Sequence, residues 1–204
     1  DSISMMVGGL PEDPKNTLKY TCTWSCDRLV KEYCDDCEIL SNGIIKNVTG
    51  MGGYEIPTLD DYDIGDLEAF YTNGGGSHSI HTMQSRGVKN CSYKTIRYQG
   101  HHNIAKFLIR ESGLNQKELA NIFKNSCPTQ KDLVIIKIHV DDLSFEQIIK
   151  SNMQFSAMQK CTAFPTASVV PNLLSSDKQG ILKYEDVEYQ AFNTDLEDLL
   201  SLAT

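Results

Sequence analysis

The chain has 204 residues, of which 40% are hydrophobic and 23% are charged, and its formal net charge at pH 7 is −8. This length is sufficient for one domain with a buried core, and the composition is typical of a water-soluble globular protein. The negative net charge argues against a nucleic-acid-binding protein and against binding to an anionic membrane surface, because both need a basic face. No run of about 18 apolar residues is present, so we predict no membrane-spanning segment. The first nine residues lack the charged and apolar segments of a signal peptide, and we expect a cytoplasmic protein whose chain is processed or is a fragment.

Alternation and turn signals predict the elements of the first half. Apolar and polar residues alternate over 18–25, which predicts a half-buried strand, and Asp27 is placed to cap a short helix that ends near Tyr33. Two apolar runs on either side of Asn42-Gly43 predict a β-hairpin. The next predicted elements are a loop over 50–66, a strand over 67–72 and a loop over 73–79.

The second half alternates between helix and strand patterns. A strand over 93–98 is predicted to end at Gly100, and an amphipathic helix is predicted to begin at His101, with Gly113 as its C′ residue. The remaining predicted elements are a helix over 116–125, a strand over 132–140, an antiparallel return over 145–150, a helix after Pro165 that Pro171 kinks or ends, and short helices after Asp186 and Thr194. Together these elements predict an α+β fold, in which a mixed, largely antiparallel sheet carries helices packed on one face.

Four of the seven cysteines, Cys22, Cys26, Cys34 and Cys37, are close neighbours in the sequence. A zinc site needs four thiolates within ~2.3 Å of the metal, whereas a strand through Cys22 and Cys26 would hold them ~13 Å apart. A redox dithiol of the thioredoxin type needs Cys-x-x-Cys at the start of a helix, whereas Cys34-x-x-Cys37 precedes a strand. We therefore predict reduced structural cysteines without metal, with a zinc-dependent interaction module as a competing hypothesis.

Two glycine-rich segments do not fit the motifs that bind nucleotides. The segment 50–53 is not a G-x-G-x-x-G motif, because Glu55 stands where the third glycine is needed, and the segment 74–77 lacks the lysine of a P-loop. His78 and His81 have a spacing that suits a metal, but no third ligand is evident, and we interpret them as loop residues. The sequence thus contains no visible dinucleotide-binding unit and no predicted metal site.

The segment 93–102 has the features of a pocket for an anion. Arg97 ends a predicted strand and offers a planar fork for a carboxylate. The predicted helix that follows has free N–H groups at its start, and His101 in its first turn is a candidate proton carrier or hydrogen-bond donor. The segment therefore predicts a pocket for an amino-acid carboxylate, and the competing interpretation is a surface arginine beside an ordinary histidine.

Seven stretches form a recognisable set: GGLPEDP (8–14), LKYTCTWS (18–25), LVKEYCDDCEIL (29–40), LEAFYTNGG (67–75), GVKNCSYKTIRYQGH (87–101), FSAMQKCTAFP (155–165) and GILKYEDV (180–187). They resemble the C-terminal domain of saccharopine dehydrogenase-like oxidoreductases, a group that includes saccharopine reductases and lysine 6-dehydrogenases. The resemblance extends from Gly8 to about Leu199, which implies a single such domain over 1–204. Gln99, Pro171 and the cysteine cluster depart from the family pattern.

The resemblance implies one half of a two-domain enzyme. An N-terminal Rossmann domain, absent from this chain, would bind NAD or NADP, and this domain would supply substrate contacts and the contact of a homodimer. The implied reaction is hydride transfer at the ε C–N bond of saccharopine or lysine, without a metal. The alternative is a ligand-binding or dimerisation module that has kept the fold and lost the chemistry.

The resemblance also implies roles for particular residues. The implied substrate-binding residues are Arg97, Tyr98, His101, Glu68, Tyr71, Asn73 and Gly75. The residues implied to lie near the cleft between the two domains are Gly8, Gly9, Leu10, Pro11, Thr162, Phe164 and Pro165. His101 is a candidate catalytic residue. No other catalytic residue is assigned, because the resemblance also allows the acid–base group to lie on the missing domain.

Overall fold

The computed structural model describes residues 2–59, 62, 64–177, 180 and 187–202. Within these residues the strands are β1 (Ser2–Pro11), β2 (Cys37–Ser41), β3 (Ile44–Val48), β4 (Leu67–Tyr71), β5 (Asn90–Tyr98), β6 (Asp132–Val140) and β7 (Leu143–Lys150). The helices are α1 (Cys26–Cys34), α2 (Ser77–Ser85), α3 (His101–Arg110), α4 (Gln116–Ser126), α5 (Ala157–Leu174) and α6 (Tyr189–Leu202).

All seven strands belong to one mixed sheet, in which six follow the order β3-β2-β5-β1-β6-β7 and the seventh, β4, pairs with β5. β1 and β5 pair in parallel, and the other strand pairs in the described residues are antiparallel. β2 and β4 share one edge of β5, because β2 pairs near its start at Cys91 whereas β4 pairs along its second half, with Glu68 opposite Arg97. The predicted α+β fold with a largely antiparallel mixed sheet is confirmed.

The helices cover one face of this sheet, as predicted. Tyr33 of α1 and Phe123 of α4 pack with Phe70 of β4 in one core cluster. A second cluster lies on the opposite face, where Leu59 and Ile64, from the segment between β3 and β4, pack against the sheet. That segment is also tied to β6, because the buried Lys137 Nζ donates to the Thr58 carbonyl at 2.6 Å.

Local signals account for most of the helix starts. Asn115 and Glu118 form a capping box that begins α4, and Ser156 and Gln159 form another that begins α5. The first N–H groups of α5 also donate to the carboxylate of Asp132, at 2.8 and 3.0 Å. A carboxylate at a helix N-terminus satisfies free N–H groups and matches the helix dipole. α5 therefore begins at Ala157, and Pro165 and Pro171 both lie inside it, so the prediction that the helix follows Pro165 is wrong.

The prediction of a strand over 18–25 is also wrong. Leu18 and Tyr20 are buried as the alternation requires, but the backbone of Tyr20 pairs with the Asn16 side chain in both directions. Cys22 N–H donates to the Cys127 carbonyl at 3.1 Å. An extended loop that packs alternate side chains into a core produces the same period of two as a strand. The strand that occupies the sheet is β1, which the sequence reading missed.

Three smaller corrections concern helices. α1 is capped by Ser25 rather than by Asp27, since the Ser25 hydroxyl accepts from Arg28 N–H. The segment that was predicted as a loop over 73–79 already contains the start of α2, so His78 and His81 lie on a helix. A single helix, α6, spans Tyr189–Leu202 where two short helices are predicted after Asp186 and Thr194, and Asp186 itself lies outside the described residues.

The cysteines also differ from expectation. Cys22 and Cys26 form a disulfide, so the prediction of reduced thiols is wrong for this pair. The free cysteines are Cys34, Cys37, Cys91, Cys127 and Cys161. Among the described residues, no group of three or more His, Cys, Asp or Glu side chains is arranged to hold a metal ion. None of the helices in the described part of the chain combines the length and apolar character of a membrane span.

Candidate substrate-binding site

Arg97 is buried between the sheet and the helices, since only 4% of its surface is exposed. Its Nε donates to the Tyr33 hydroxyl at 2.8 Å, and its Nη1 donates to the Ile96 carbonyl at 2.7 Å. Its guanidinium carbon lies 4.8 Å from the ring centre of Tyr20 and 5.7 Å from that of Tyr33. Contacts between a cation and aromatic faces are worth ~2 kcal/mol or more where water is excluded. The competing interpretation of a surface arginine is therefore wrong.

Tyr33 connects Arg97 to His101. The Tyr33 oxygen accepts from Arg97 Nε, so its own proton is available for His101 Nε2, which is 3.0 Å away. His101 Nδ1 lies 2.7 Å from the Leu18 carbonyl, which can only accept. These partners assign the neutral tautomer with the proton on Nδ1. The result is a directed chain of hydrogen bonds from Arg97 through Tyr33 and His101 to the backbone of the 18–25 loop.

This chain keeps His101 neutral. The residue is fully buried, and burial together with the positive charge of Arg97 lowers its pKa to about 3. A proton carrier near neutral pH needs a pKa close to 7. The surroundings of His101 therefore fit a residue that positions Tyr33 and Arg97, and they do not fit the proton carrier that the sequence suggested.

Glu68 occupies the start of α3. Its carboxylate accepts from Gly100 N–H at 3.0 Å and from His102 N–H, and Tyr54 Oη lies 3.4 Å away. Gly100 adopts a φ of 99°, a left-handed conformation that suits glycine and turns the chain from β5 into α3. The helix N-terminus that was expected to help bind a substrate carboxylate is thus already paired with a carboxylate of the chain itself.

Glu32 is a site residue that the sequence reading missed. It lies on α1, and burial raises the pKa of its carboxyl from 4.5 to about 7, against the lowering effect of the charges on Arg97 and Arg28. A Cβ at Gly74 would lie 3.3 Å from Glu32 Oε1, so the carboxyl group packs against the glycine loop. The neighbouring Asn73 N–H donates to the Glu32 carbonyl at 2.9 Å. The signal that could have found it is its position next to Tyr33 at the edge of the buried face of α1.

Arg97 and Glu32 both have unused hydrogen-bonding capacity. Among the residues that the structure describes, Arg97 Nη2 and the Glu32 carboxyl group have no hydrogen-bond partner. The two groups influence each other electrostatically, but no ion pair within 4.0 Å joins them. A guanidinium nitrogen and a carboxyl oxygen that do not pair with each other can receive a carboxylate and an ammonium group, respectively.

The glycine loop is shaped by Tyr93. A Cβ at Gly75 would lie 2.2 Å from the Tyr93 ring, and one at Gly76 would lie 2.5 Å from Tyr93 Cβ. The loop therefore needs glycine at both positions, because any larger residue would displace this ring. Asn73, Gly74, Gly76 and Tyr93 line a cleft of about 240 Å³. Gly74, against which the Glu32 carboxyl group packs, is thus also part of the cleft lining.

Two of the expected substrate-binding residues lie on the other face of the sheet. Tyr71 is opposite Lys94 in the β4–β5 pair, and Lys94 Nζ lies 4.9 Å from the centre of its ring. Tyr98 donates from its hydroxyl to the Pro11 carbonyl at 3.0 Å and lines a separate cleft of about 330 Å³. Neither side chain can share one small ligand with Arg97, since the sheet lies between them.

The residues expected near an interdomain cleft fall into two groups. Gly9 and α5 meet, because a Cβ at Gly9 would lie 2.7 Å from Met158 Cε. Thr162 is exposed and bonds within α5, Phe164 is buried against Phe155, and Pro165 is half-buried on the same helix. In β1, Gly8 packs against Ile96, Leu10 is fully buried in the core of the opposite face, and Pro11 accepts from Tyr98.

The fold and this site define an α+β domain with a buried arginine, Arg97, and a half-buried glutamate, Glu32, near a glycine loop. A family model described as "Saccharopine dehydrogenase C-terminal domain" matches residues 1–201. The chain therefore belongs to the saccharopine dehydrogenase C-terminal domain family.

The fold is also found in a solved structure, that of apo histidine-tagged saccharopine dehydrogenase (L-Glu forming) from Saccharomyces cerevisiae. The TM-score is 0.70 at 13% sequence identity, and the match covers 98% of this chain and 64% of that chain. At this identity the likeness establishes the fold, and the chain spans less than two thirds of the length of that protein.

Proposed function

We propose that this chain is the substrate-binding and dimerisation domain of an NAD(P)-dependent saccharopine dehydrogenase-like oxidoreductase that acts on the ε C–N bond of saccharopine or lysine. The observation that carries the proposal is the family match over residues 1–201. In this proposal the domain contributes binding groups, and a Rossmann domain outside this chain holds NAD or NADP. The chain on its own would then be inactive.

The pair of Arg97 and Glu32 supports an amino acid as the ligand. An α-amino acid presents a carboxylate and an ammonium group close together, and these match a guanidinium nitrogen and a carboxyl group that lack partners. In the proposed site Arg97 binds the substrate carboxylate, and Glu32 receives the amino group. The ligand would enter along the glycine loop formed by Asn73, Gly74 and Gly75. The guanidinium of Arg97 is held in position by Tyr33 and His101. The start of α3 is held by Glu68.

Glu32 also suits proton transfer in the proposed reaction with saccharopine, because its reacting ε nitrogen is also the α-amino nitrogen of its glutamate half and lies next to the carboxylate that Arg97 would bind. Hydride can leave the carbon of a C–N bond only when nitrogen has a free electron pair, so a protonated amine must first lose a proton. A carboxyl group with a pKa of about 7 can accept this proton at its Oε atoms near neutral pH and return it to solvent. The nicotinamide, when bound, supplies the hydride acceptor.

A homodimer is part of the proposal, and the edge strand β7 is the surface that supports it. Leu143 and Phe145 are 75% and 52% exposed, and Val140 beside them is 41% exposed. Among the described residues β7 pairs only with β6, so we take its outer edge to be available for an identical strand in antiparallel orientation. Such a pairing buries the apolar side chains and places the twofold axis at the strand centre.

The burial of His101 and the internal pairing of Glu68 favour a second candidate, a ligand-binding or dimerisation module without chemistry. The open reading frame that contains this chain distinguishes the two candidates. A strand, a G-x-G-x-x-G turn and a helix upstream of residue 1 would support the enzyme. Their absence would refute it and support the module without chemistry.

The decisive experiment is a substrate screen on the complete protein with NAD and NADP, using saccharopine, lysine and related amines. We expect reduction of one nicotinamide with saccharopine or lysine. No turnover and no calorimetric binding with any amine would refute the proposed substrate class. Light scattering of Phe145→Glu tests the dimer separately, with Phe107→Glu as a matched control, because Phe107 is equally exposed on α3.

A further inference from the structure

We propose that the Cys22–Cys26 disulfide is a thiol–disulfide exchange site that takes small thiols or protein dithiols as its co-reactants. This inference is independent of the proposed function, because it rests on a different part of the molecule. Cys22 and Cys26 are four positions apart, with Cα atoms 6.4 Å from each other. A bridge over so short a loop restricts the unfolded chain less than one over a long loop, so stabilisation of the fold is a weak reason for it.

The disulfide is accessible to another thiol. Both cysteines line a cleft of about 500 Å³ between the 18–25 loop, α1 and α4. Cys22 is half-buried, and Cys26 is 9% exposed. Trp24 and Lys124 also line this cleft, so it offers an aromatic surface and a positive charge to an incoming anionic thiol. Asp27 is the acidic residue on the same wall.

The position of Cys26 defines the direction of exchange. Cys26 is the first residue of α1, where the helix dipole and free N–H groups stabilise a thiolate. The better-stabilised thiolate leaves faster, so an incoming thiolate attacks Cys22 Sγ, and Cys22 is also the more exposed residue of the pair. The S–S bond breaks, Cys26 departs with the electron pair and takes up a proton, and a mixed disulfide forms on Cys22.

A second thiol completes the reaction. It attacks the sulfur of the co-reactant in the mixed disulfide, and Cys22 leaves as a thiolate that is then protonated. In total, two thiols are oxidised to one disulfide, and the Cys22–Cys26 disulfide is reduced by two electrons to two thiols. The same steps in reverse restore the bridge.

The free cysteines differ from this pair in reactivity. Burial raises the pKa of Cys37, Cys91, Cys127 and Cys161 to about 11 and also raises that of Cys34. Thiolates are the reacting species in exchange, so these thiols are poor nucleophiles at neutral pH. Cys127 lines the same cleft and stays a thiol for this reason. Exchange is therefore confined to the pair.

The disulfide is linked to Arg97 through Tyr20 of the 18–25 loop. It joins the 18–25 loop to α1, and that loop carries Tyr20, whose ring lies against Arg97. Trp24 Nε1 donates to the Tyr20 hydroxyl at 2.9 Å. Reduction removes the covalent link between the 18–25 loop and α1. Tyr20 is then held only by non-covalent contacts, such as those with Trp24 and Arg97.

Redox titration of the 204-residue chain tests the proposal. The chain is equilibrated with mixtures of reduced and oxidised glutathione, alkylated, and analysed by peptide mass spectrometry. We expect Cys22 and Cys26 to become alkylated together as the fraction of reduced glutathione rises. Cys26→Ser should trap glutathione on Cys22, whereas Cys34→Ser, which leaves the pair intact, should titrate like the unmodified chain.

Fluorescence gives a second readout, because Trp24 is the single tryptophan of the chain. A neighbouring disulfide quenches indole emission, so reduction should increase the emission, and the Cys22→Ser/Cys26→Ser double variant should not respond. A pair that stays oxidised in every glutathione mixture yet reduces after unfolding would show a purely structural bridge. Alkylation of both cysteines in the untreated chain would show that no disulfide forms, and either result overturns the proposal.

Discussion

Arg97 and Tyr33 form a buried hydrogen bond of 2.8 Å that joins the central strand β5 to helix α1. The same hydroxyl reaches His101 at the start of α3, so one tyrosine oxygen connects two helices, α1 and α3, to the sheet. Burial raises the pKa of Tyr33, so its hydroxyl stays protonated at neutral pH, and the guanidinium of Arg97, which is always charged in proteins, donates to it. The position of the guanidinium therefore depends on Tyr33.

Tyr33→Phe removes the hydroxyl while keeping the ring that packs against Phe70 and Phe123. Arg97 Nε then lacks its acceptor and His101 Nε2 lacks its donor. A buried polar group without a partner costs ~1–3 kcal/mol, and we expect a loss of this size in the free energy of unfolding. Chemical denaturation measures it, with Tyr189→Phe as the exposed control. Equal stability of the two variants would contradict the proposed role of the hydroxyl.

Arg97→Lys in the complete protein tests the proposed carboxylate contact. Lysine keeps the charge but loses the planar fork, so we expect the KM for the amino-acid substrate to rise at least tenfold, with the Kd for the nicotinamide cofactor unchanged. Steady-state kinetics and cofactor titration measure the two quantities. Arg86→Lys, at an exposed position, is the control. An unchanged KM in a folded Arg97→Lys variant would remove Arg97 from the site.

Glu32→Gln tests the raised pKa. The folded-state pKa of about 7 lies above the ordinary value of 4.5, so between these values the folded chain holds a proton that the unfolded chain has lost. The free energy of unfolding therefore falls as pH rises from about 4.5 to about 7. In Glu32→Gln this contribution disappears and the pH dependence flattens. Denaturation at several pH values measures it, with the exposed Glu111→Gln as control, and identical profiles would contradict the assignment.

His101 makes the opposite contribution. Its pKa is lowered from 6.5 to about 3, so below pH 6.5 the unfolded chain takes up a proton that the folded chain does not. Stability from this residue is present above pH 6.5 and is lost as pH falls towards 3. Nitrogen-15 NMR of the imidazole should show a neutral ring with the proton on Nδ1 at pH 5. A doubly protonated ring at that pH would contradict the hydrogen-bond assignment.

Gly8→Ala should disrupt the contact between β1 and β5. An added Cβ would lie 2.6 Å from the Ile96 carbonyl oxygen, and both neighbours belong to the centre of the sheet. Overpacking of this kind costs ~1–3 kcal/mol, which we expect to measure as a lower free energy of unfolding. Ser4→Ala in the same strand should have little effect. A Gly8→Ala variant as stable as Ser4→Ala would show that the strand can shift to make space.

The elements that were predicted correctly have their determinants within a few residues. Asn42 and Gly43 adopt φ values of 53° and 77°, which a two-residue hairpin requires, and they do so between the predicted strands. Residues 132–140 form the predicted strand with the predicted bounds. β1 was missed because glycines at positions 8 and 9 weaken the local strand signal. Glycine at position 8 is needed only because β5, about 90 residues later, packs against it.

The candidate site likewise combines residues that local sequence patterns indicate with partners that are distant in the chain. Arg97 and His101 could be selected from the sequence as polar residues in a strand and at a helix start, and Glu68 was selected from the family resemblance. Their partners could not be selected, since Tyr33 is 64 positions from Arg97 and Gly100 is 32 positions from Glu68. Glu32 was missed because an acidic residue on a short amphipathic helix is ordinarily exposed, and only the packing of α1 against the glycine loop buries it.

The sequence by itself determined the family, the α+β class, the hairpin and the strand β6, because these depend on local propensity, hydrophobic period and short motifs. The tertiary structure alone decided that Glu68 accepts from the first N–H groups of α3 and that Arg97 is buried against tyrosine rings. It also decided that Tyr71 and Tyr98 lie on the other face of the sheet. The pairing of Cys26 with Cys22 was likewise decided only by the tertiary structure. The physical reason is that burial and hydrogen bonding act between residues that are distant in the chain. Whether a charged side chain meets water, a partner or a ligand is settled by which elements pack together.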